Sequence, residues 1–202
     1  NAPFVLEHAR AGLELIVSTG MATLGEIEEA LGIIAFGLVA ETNARPSREA
    51  FAEAYASAEA RAAMREKVTV LHCTTEYPAP LHEINLSAMG SLERAFGLRC
   101  GYSDHSDGIT VPIAATAMGA TMIEKHFTLD RTMKGPDHRA SLEPSQLGTM
   151  VQAIRDVQVA LGDGVKRPMP SELKNKMIAC KSLVAARRIN AGEVIGADDI
   201  SV

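Results

Sequence analysis

The sequence has few cysteines, no surplus of positive charge, no long apolar run and no glycine-rich dinucleotide signature. Each shortage removes a class of protein. The three cysteines, Cys73, Cys100 and Cys180, are widely spaced and odd in number. They form neither a disulfide framework nor a CxxC metal knuckle, and they read as free thiols of a reducing cytosol. Lysine and arginine number 20 against 25 aspartate and glutamate, a net charge of −5 with no basic stripe, which argues against nucleic acid as the main partner. No apolar run reaches the length of a bilayer crossing and no charged-then-apolar segment opens the chain. The expected location is therefore the cytoplasm, away from any membrane. No GxGxxG follows the first strand-like run, which counts against a dinucleotide fold.

What is present is ordinary globular material. Hydrophobic residues make up 47% and charged residues 22% of 202, enough apolar chain to bury a proper core. Residues 1–13 have helical spacing of Phe4, Val5, Ala9 and Leu13. The apolar run 14–17 reads as a strand that ends in Ser18-Thr19-Gly20. Thr23, with Glu26 three residues on, opens a helix over 24–38 in the manner of a capping box. Val68 to Cys73 (VTVLHC) is a continuous β-branched and apolar run, the pattern of a strand buried on both faces. Helices over 86–96, 110–118 and 144–161 then alternate with strands over 99–102 and 121–127. The repeated β-α rhythm predicts a parallel α/β sheet, without choosing between an open doubly wound sheet and part of a barrel.

Two stretches break the rhythm. Residues 41–67 carry loop signals and then an Ala-, Glu- and Arg-rich run, which predicts one exposed helix inserted on the crossover. After residue 161, Gly162, Asp163, Gly164, Pro168 and Pro170 mark a linker over 162–180. Residues 181–202 (KSLVAARRINAGEVIGADDISV) read as short strands around an Asn190-Ala191-Gly192 turn, too few to bury a core unaided. The predicted organisation is therefore an α/β domain over 1–161, a linker, and the beginning of a small β domain.

In parallel α/β folds ligands bind at the carboxyl ends of the strands, and polar residues collect there four times. The first strand end carries Ser18, Thr19 and Gly20, and the second Thr74, Thr75, Glu76 and Tyr77. The third carries Ser103, Asp104 and His105, and the fourth Glu124 and His126 with Asp137 and His138 in the following loop. His105 and His126 end consecutive strands, about 4.8 Å apart in a parallel sheet, so two imidazoles can reach one metal ion. The alternative is hydrogen-bonded scaffolding. Glu124 and His126 share a strand face, while Lys125 points the other way. Lys125 is either a Schiff-base lysine or a packing lysine. Ser18-Thr19-Gly20 suits a phosphate cradle or a plain turn. Tyr77 suits a sugar contact or a loop anchor. Asp137 and His138 sit in a loop long enough to act as a lid.

Five motifs, STGMATLGEIEEAL, LHCTTEYPAP, GYSDHSDG, IEKHFTLDR and GPDHRASLEP, in this order and spacing resemble the N-acetylneuraminate (sialic acid) synthase family, which includes the legionaminic and pseudaminic acid synthases. KSLVAARRINAGEVI looks like the start of that family's C-terminal antifreeze-like (SAF) domain. The resemblance implies a TIM (β/α)8 barrel, with the chain carrying about its last four βα units, followed by the SAF domain, in a domain-swapped homodimer. It implies a transferase that condenses phosphoenolpyruvate with an N-acylated hexose such as N-acetylmannosamine and releases phosphate. The implied metal is Mn²⁺ or Mg²⁺, held by His105 and His126, with Glu124 beside it. Ser18, Ser103 and Thr75 would contact phosphoenolpyruvate, and Tyr77 and Asp137 the sugar. Some members carry Asn in place of Thr75. The family's phosphate-gripping lysines would precede Asn1 and its SAF arginine would follow Val202, so the chain is expected to be part of a longer protein and inactive alone. A binding module is the non-enzyme alternative.

Overall fold

The structure, a computed structural model, describes residues 1–202, and these divide into two compact units, Asn1–Gly162 and Asp163–Val202. In the first, Asn1 caps α1 (Ala2–Arg10), and β1 (Leu15–Ser18) follows. Thr23 then closes a full capping box with Glu26 at the start of α2 (Leu24–Val39). Both orphan donors at that helix start are thereby satisfied. β2 (Val68–Cys73), α5 (Ala88–Phe96), β3 (Arg99–Asp104), α6 (Thr110–Ala117), β4 (Ile123–Lys125) and α7 (Pro144–Leu161) complete the alternation, with α3 (Arg48–Ala56) and α4 (Ala58–Lys67) lying between α2 and β2. Gly97, with φ of +63°, ends α5 in the left-handed conformation that costs glycine nothing.

The four strands are parallel and lie in sequence order β1-β2-β3-β4. One face is covered: Val68, Val70 and Tyr102 are buried there with Ile27, Leu31, Ile34, Met89 and Leu92 from the helices. On the other face Ile16 is 54% exposed and Glu124 is open to solvent. A curled wall with its helices on one side is the arrangement of a barrel segment. Close contact between α1 and α2 requires Gly37, because a Cβ there would lie 2.5 Å from the Ala9 Cβ.

Residues 41–67 differ from expectation. They form two helices, α3 (Arg48–Ala56) and α4 (Ala58–Lys67). Ser57 separates them, extended at ψ 146°, with its hydroxyl donating to the Ala54 carbonyl and accepting from the Ala60 N–H. Nor is the segment simply exposed. Ala60 and Met64 are buried in the main core, because small and unbranched side chains at i and i+4 share one helix face. The fourth strand is also shorter than expected, three residues instead of seven: Phe127 forms only an isolated bridge to Leu142.

The second unit holds two single-turn 3₁₀ helices (Pro170–Glu172 and Ala197–Asp199), the seven-residue α8 (Leu173–Ala179), and an antiparallel pair of β5 (Val184–Ala185) and β6 (Ile200–Ser201). The stretch expected as plain linker thus contains a helix. Arg187 joins Asp199 at 2.5 Å and Glu193 at 3.0 Å. No helix anywhere is long and apolar enough to cross a membrane.

Candidate active site at the carboxyl ends of the strands

Parallel pairing brings the strand ends to one rim. Ser103 lies opposite Glu124, and Asp104 opposite Lys125. The Ser103 hydroxyl, almost fully buried, donates to Glu124 Oε1 at 2.6 Å. That bond aims the carboxylate along the open face of the sheet. One residue beyond each strand stand His105 and His126, their rings edge-to-face with centroids 5.4 Å apart. Tyr77 packs on both, 4.3 Å from the His105 ring and 5.2 Å from that of His126.

Each histidine is fixed through its backbone and, for His105, its ring. The His105 carbonyl accepts from Ala79 N at 2.9 Å, and His105 Nδ1 lies 2.8 Å from the Thr74 carbonyl. A carbonyl can only accept, so Nδ1 is the donor of this bond and Nε2 is the ring nitrogen turned to the rim. This is how metal-binding histidines have their tautomer set. The His126 carbonyl accepts from Leu142 N at 2.9 Å. No group of three or more His, Cys, Asp or Glu side chains converges in the chain, so the histidine pair offers two protein ligands and leaves room for others.

Asp137 lines the same cleft as His126, a space of about 280 Å³ shared with Phe127, Pro136, His138 and Ser141. The loop carrying it is tied down: Ser141 Oγ donates to the Asp137 carbonyl at 2.7 Å, His138 Nδ1 meets Thr128 Oγ1 at 2.8 Å, and Arg131 Nε donates to the Arg139 carbonyl at 2.9 Å. Thr75 packs against the β1 loop, where a Cβ on Gly20 would lie 2.1 Å from Thr75 Oγ1. Ser18 stands apart. It lies opposite Leu71, itself opposite Gly101, so it is two strands from β3 and one pleat repeat below Ser103.

Three features escape a reading of residue types. Thr19 is buried and its hydroxyl donates to the Leu71 carbonyl at 2.9 Å, so it ties the β1 end to β2. Burial pushes the Cys73 thiol up, outweighing hydrogen bonds from Thr19, Gly20 and Thr75; it stays a neutral thiol despite its place at a strand end. Lys125 is almost fully buried and paired with Asp104 at 2.6 Å. An ion-paired, enclosed ammonium is not a free amine nucleophile, which removes the structural basis for a Schiff-base role.

Strands, rim and helices together define a partial TIM barrel with a polar cluster at the carboxyl face. Solved structures agree. The N-acetylneuraminic acid synthetase of Leptospira borgpetersenii, crystallised with citrate, superposes with a TM-score of 0.66 at 32% identity, covering 87% of this chain and 52% of that one. The spore coat polysaccharide biosynthesis protein SpsE of Bacillus subtilis gives 0.62 at 29% identity, over 99% and 53%. The sequence model of the NeuB family matches residues 1–166, and the chain belongs to that family. It is 46% identical to the N,N'-diacetyllegionaminic acid synthase of Campylobacter jejuni, over 100% of this chain and 53% of the relative. It is 30% identical to the human N-acetylneuraminate-9-phosphate synthase, over 100% and 49%. The chain spans about half the length of the curated relatives it matches.

Proposed function

We propose that the chain carries the metal- and sugar-binding half of a nonulosonic (sialic) acid synthase, which joins phosphoenolpyruvate to an N-acylated hexose and releases phosphate. The observation that supports this reading most directly is the His105–His126 pair under Tyr77, at the rim of a barrel segment whose relatives are named synthases of such acids. His105 and His126 are the ligands for a divalent ion, Mn²⁺ or Mg²⁺; when bound, it supplies Lewis acidity toward the open-chain aldehyde of the sugar.

The remaining roles fall to the side chains of the rim. Ser18 and Thr75 offer hydroxyls to the anionic groups of phosphoenolpyruvate. Ser103, whose one hydroxyl proton holds Glu124 toward the cleft in the free site, turns that proton to the ligand on binding, and the released carboxylate accepts a proton from the attacking water. Tyr77 and Asp137 hold and orient the sugar, the phenol by stacking and the carboxylate by accepting hydroxyl hydrogen bonds. C3 of phosphoenolpyruvate attacks the aldehyde carbon, whose oxygen takes up a proton to become a hydroxyl; water adds at the resulting C2 cation and gives up a proton to Glu124, and breakage of the C–O bond releases phosphate and leaves a ketone at C2. Residues 181–202 are the start of an SAF domain, and the working enzyme is a cytoplasmic, domain-swapped homodimer.

The test, on the full-length protein, is Mn²⁺ titration by calorimetry together with phosphate release from phosphoenolpyruvate in the presence of several N-acylated hexoses. His105→Ala and His126→Ala should each abolish Mn²⁺ binding and release. Intact activity in both variants would sink the proposal.

A further inference from the structure

Behind the two histidines, on the opposite side of the sheet, the ends of β3 and β4 are joined by charge. Lys125 Nζ lies 2.6 Å from Asp104 Oδ2, with 3% and 0% of the two side chains exposed. The second carboxylate oxygen, Asp104 Oδ1, accepts from Ser106 N at 2.9 Å. Lys125 also donates to the Ser106 carbonyl. His105 is therefore the middle residue of a turn, Asp104-His105-Ser106, gripped at both ends. The residue that closes the grip, Lys125, immediately precedes His126.

A buried pair of this kind adds little net stability over apolar side chains of the same volume, because desolvating both charges offsets their attraction. What it supplies is direction. Two oxygens and one ammonium fix the backbone on both sides of His105 and the strand end from which His126 projects.

We infer that Asp104 and Lys125 are positioning residues, whose buried ion pair sets the separation and ring orientation of His105 and His126. They act from the helix side of the sheet and touch no substrate. The metal consequence rests on the proposed function; the geometric one does not.

The test compares Lys125→Met with the double variant Asp104→Asn/Lys125→Met in the intact protein. The single variant leaves a buried carboxylate unpaired and is expected to unfold or misfold. The double variant leaves no buried charge, keeps an acceptor for Ser106 N, and is expected to fold. In it, Mn²⁺ affinity should drop about 10–100-fold, the range seen when supports of metal ligands are removed. Long-range ¹H–¹⁵N spectra, recorded without metal, should show His105 passing from a single Nδ1–H tautomer to a mixture. A folded double variant with an unchanged His105 tautomer and Mn²⁺ affinity within twofold of the parent would overturn the inference. A parent that binds no Mn²⁺, with the tautomer change still seen, would sink the proposed function and leave the positioning role standing.

Discussion

Within Asn1–Gly162, helices press leucine, isoleucine, alanine and methionine side chains onto a parallel sheet, and Leu31, Val68, Leu71 and Tyr102 lose all contact with water. Within Asp163–Val202, Asp199 is buried, while Val194, Met177 and Ile178 remain 91%, 88% and 86% exposed. Order there gathers instead around Arg187, which joins Asp199 and Glu193, while Asn190 donates twice more to Glu193. The contrast separates two ways of holding a chain. A close-packed interior is dense enough to hold strand ends, and so functional side chains, in fixed register. Ion pairs on a half-exposed arginine are screened and worth little each; they order a turn without building a platform for chemistry.

The contrast can be broken from its strong side first. Leu31→Ala removes a fully buried side chain from the main core and should cost about 2–5 kcal/mol, measured by urea denaturation, with loss of the histidine-rim geometry as the core loosens. Thr23→Ala opens the capping box of α2 and should cost about 1 kcal/mol, a small shift of the same transition. Arg187→Ala should leave that transition where it was and raise amide exchange only within residues 184–201. An equal drop in the main transition would show the two units to be one cooperative body.

Acid sharpens the same point. The backbone bond from Gly196 and the bond from Arg187 hold the Asp199 carboxyl below its usual range, and bonds from Asn190 and Arg187 do the same for Glu193. Carboxyls lowered in the folded state contribute order that is complete above their ordinary values of about 4, and this order is lost as pH falls through the lowered values. Exchange protection in the second unit should therefore persist at pH 5 and fade below about pH 4. The pH dependence should be flat between 6 and 8.

The alternating strands and helices were legible because VTVLHC and the Thr23–Glu26 cap are local signals. So was the neighbouring of His105 and His126, since parallel strands in sequence order bring successive ends together. The break at Ser57 was not legible: a serine inside an Ala/Glu run reads as a solvated helix position until its hydroxyl is seen serving both helices. The burial of Ala60 and Met64 was masked by the arginines and glutamates around them. The Asp104–Lys125 pair needed the strand register, a long-range fact that residue types alone do not carry.

The tight seat of Gly20 against Thr75 has a consequence for how such a chain can vary. Any side chain at position 20 would collide with Thr75 Oγ1 and with Cys73 Sγ, which belong to a different strand and loop. Change at position 20 is therefore conditional on prior change at 75 and on a shift of the Cys73 thiol, so substitutions at these sites are acceptable in one order and not the other. The route by which this rim can drift toward a new ligand is set by that order of events.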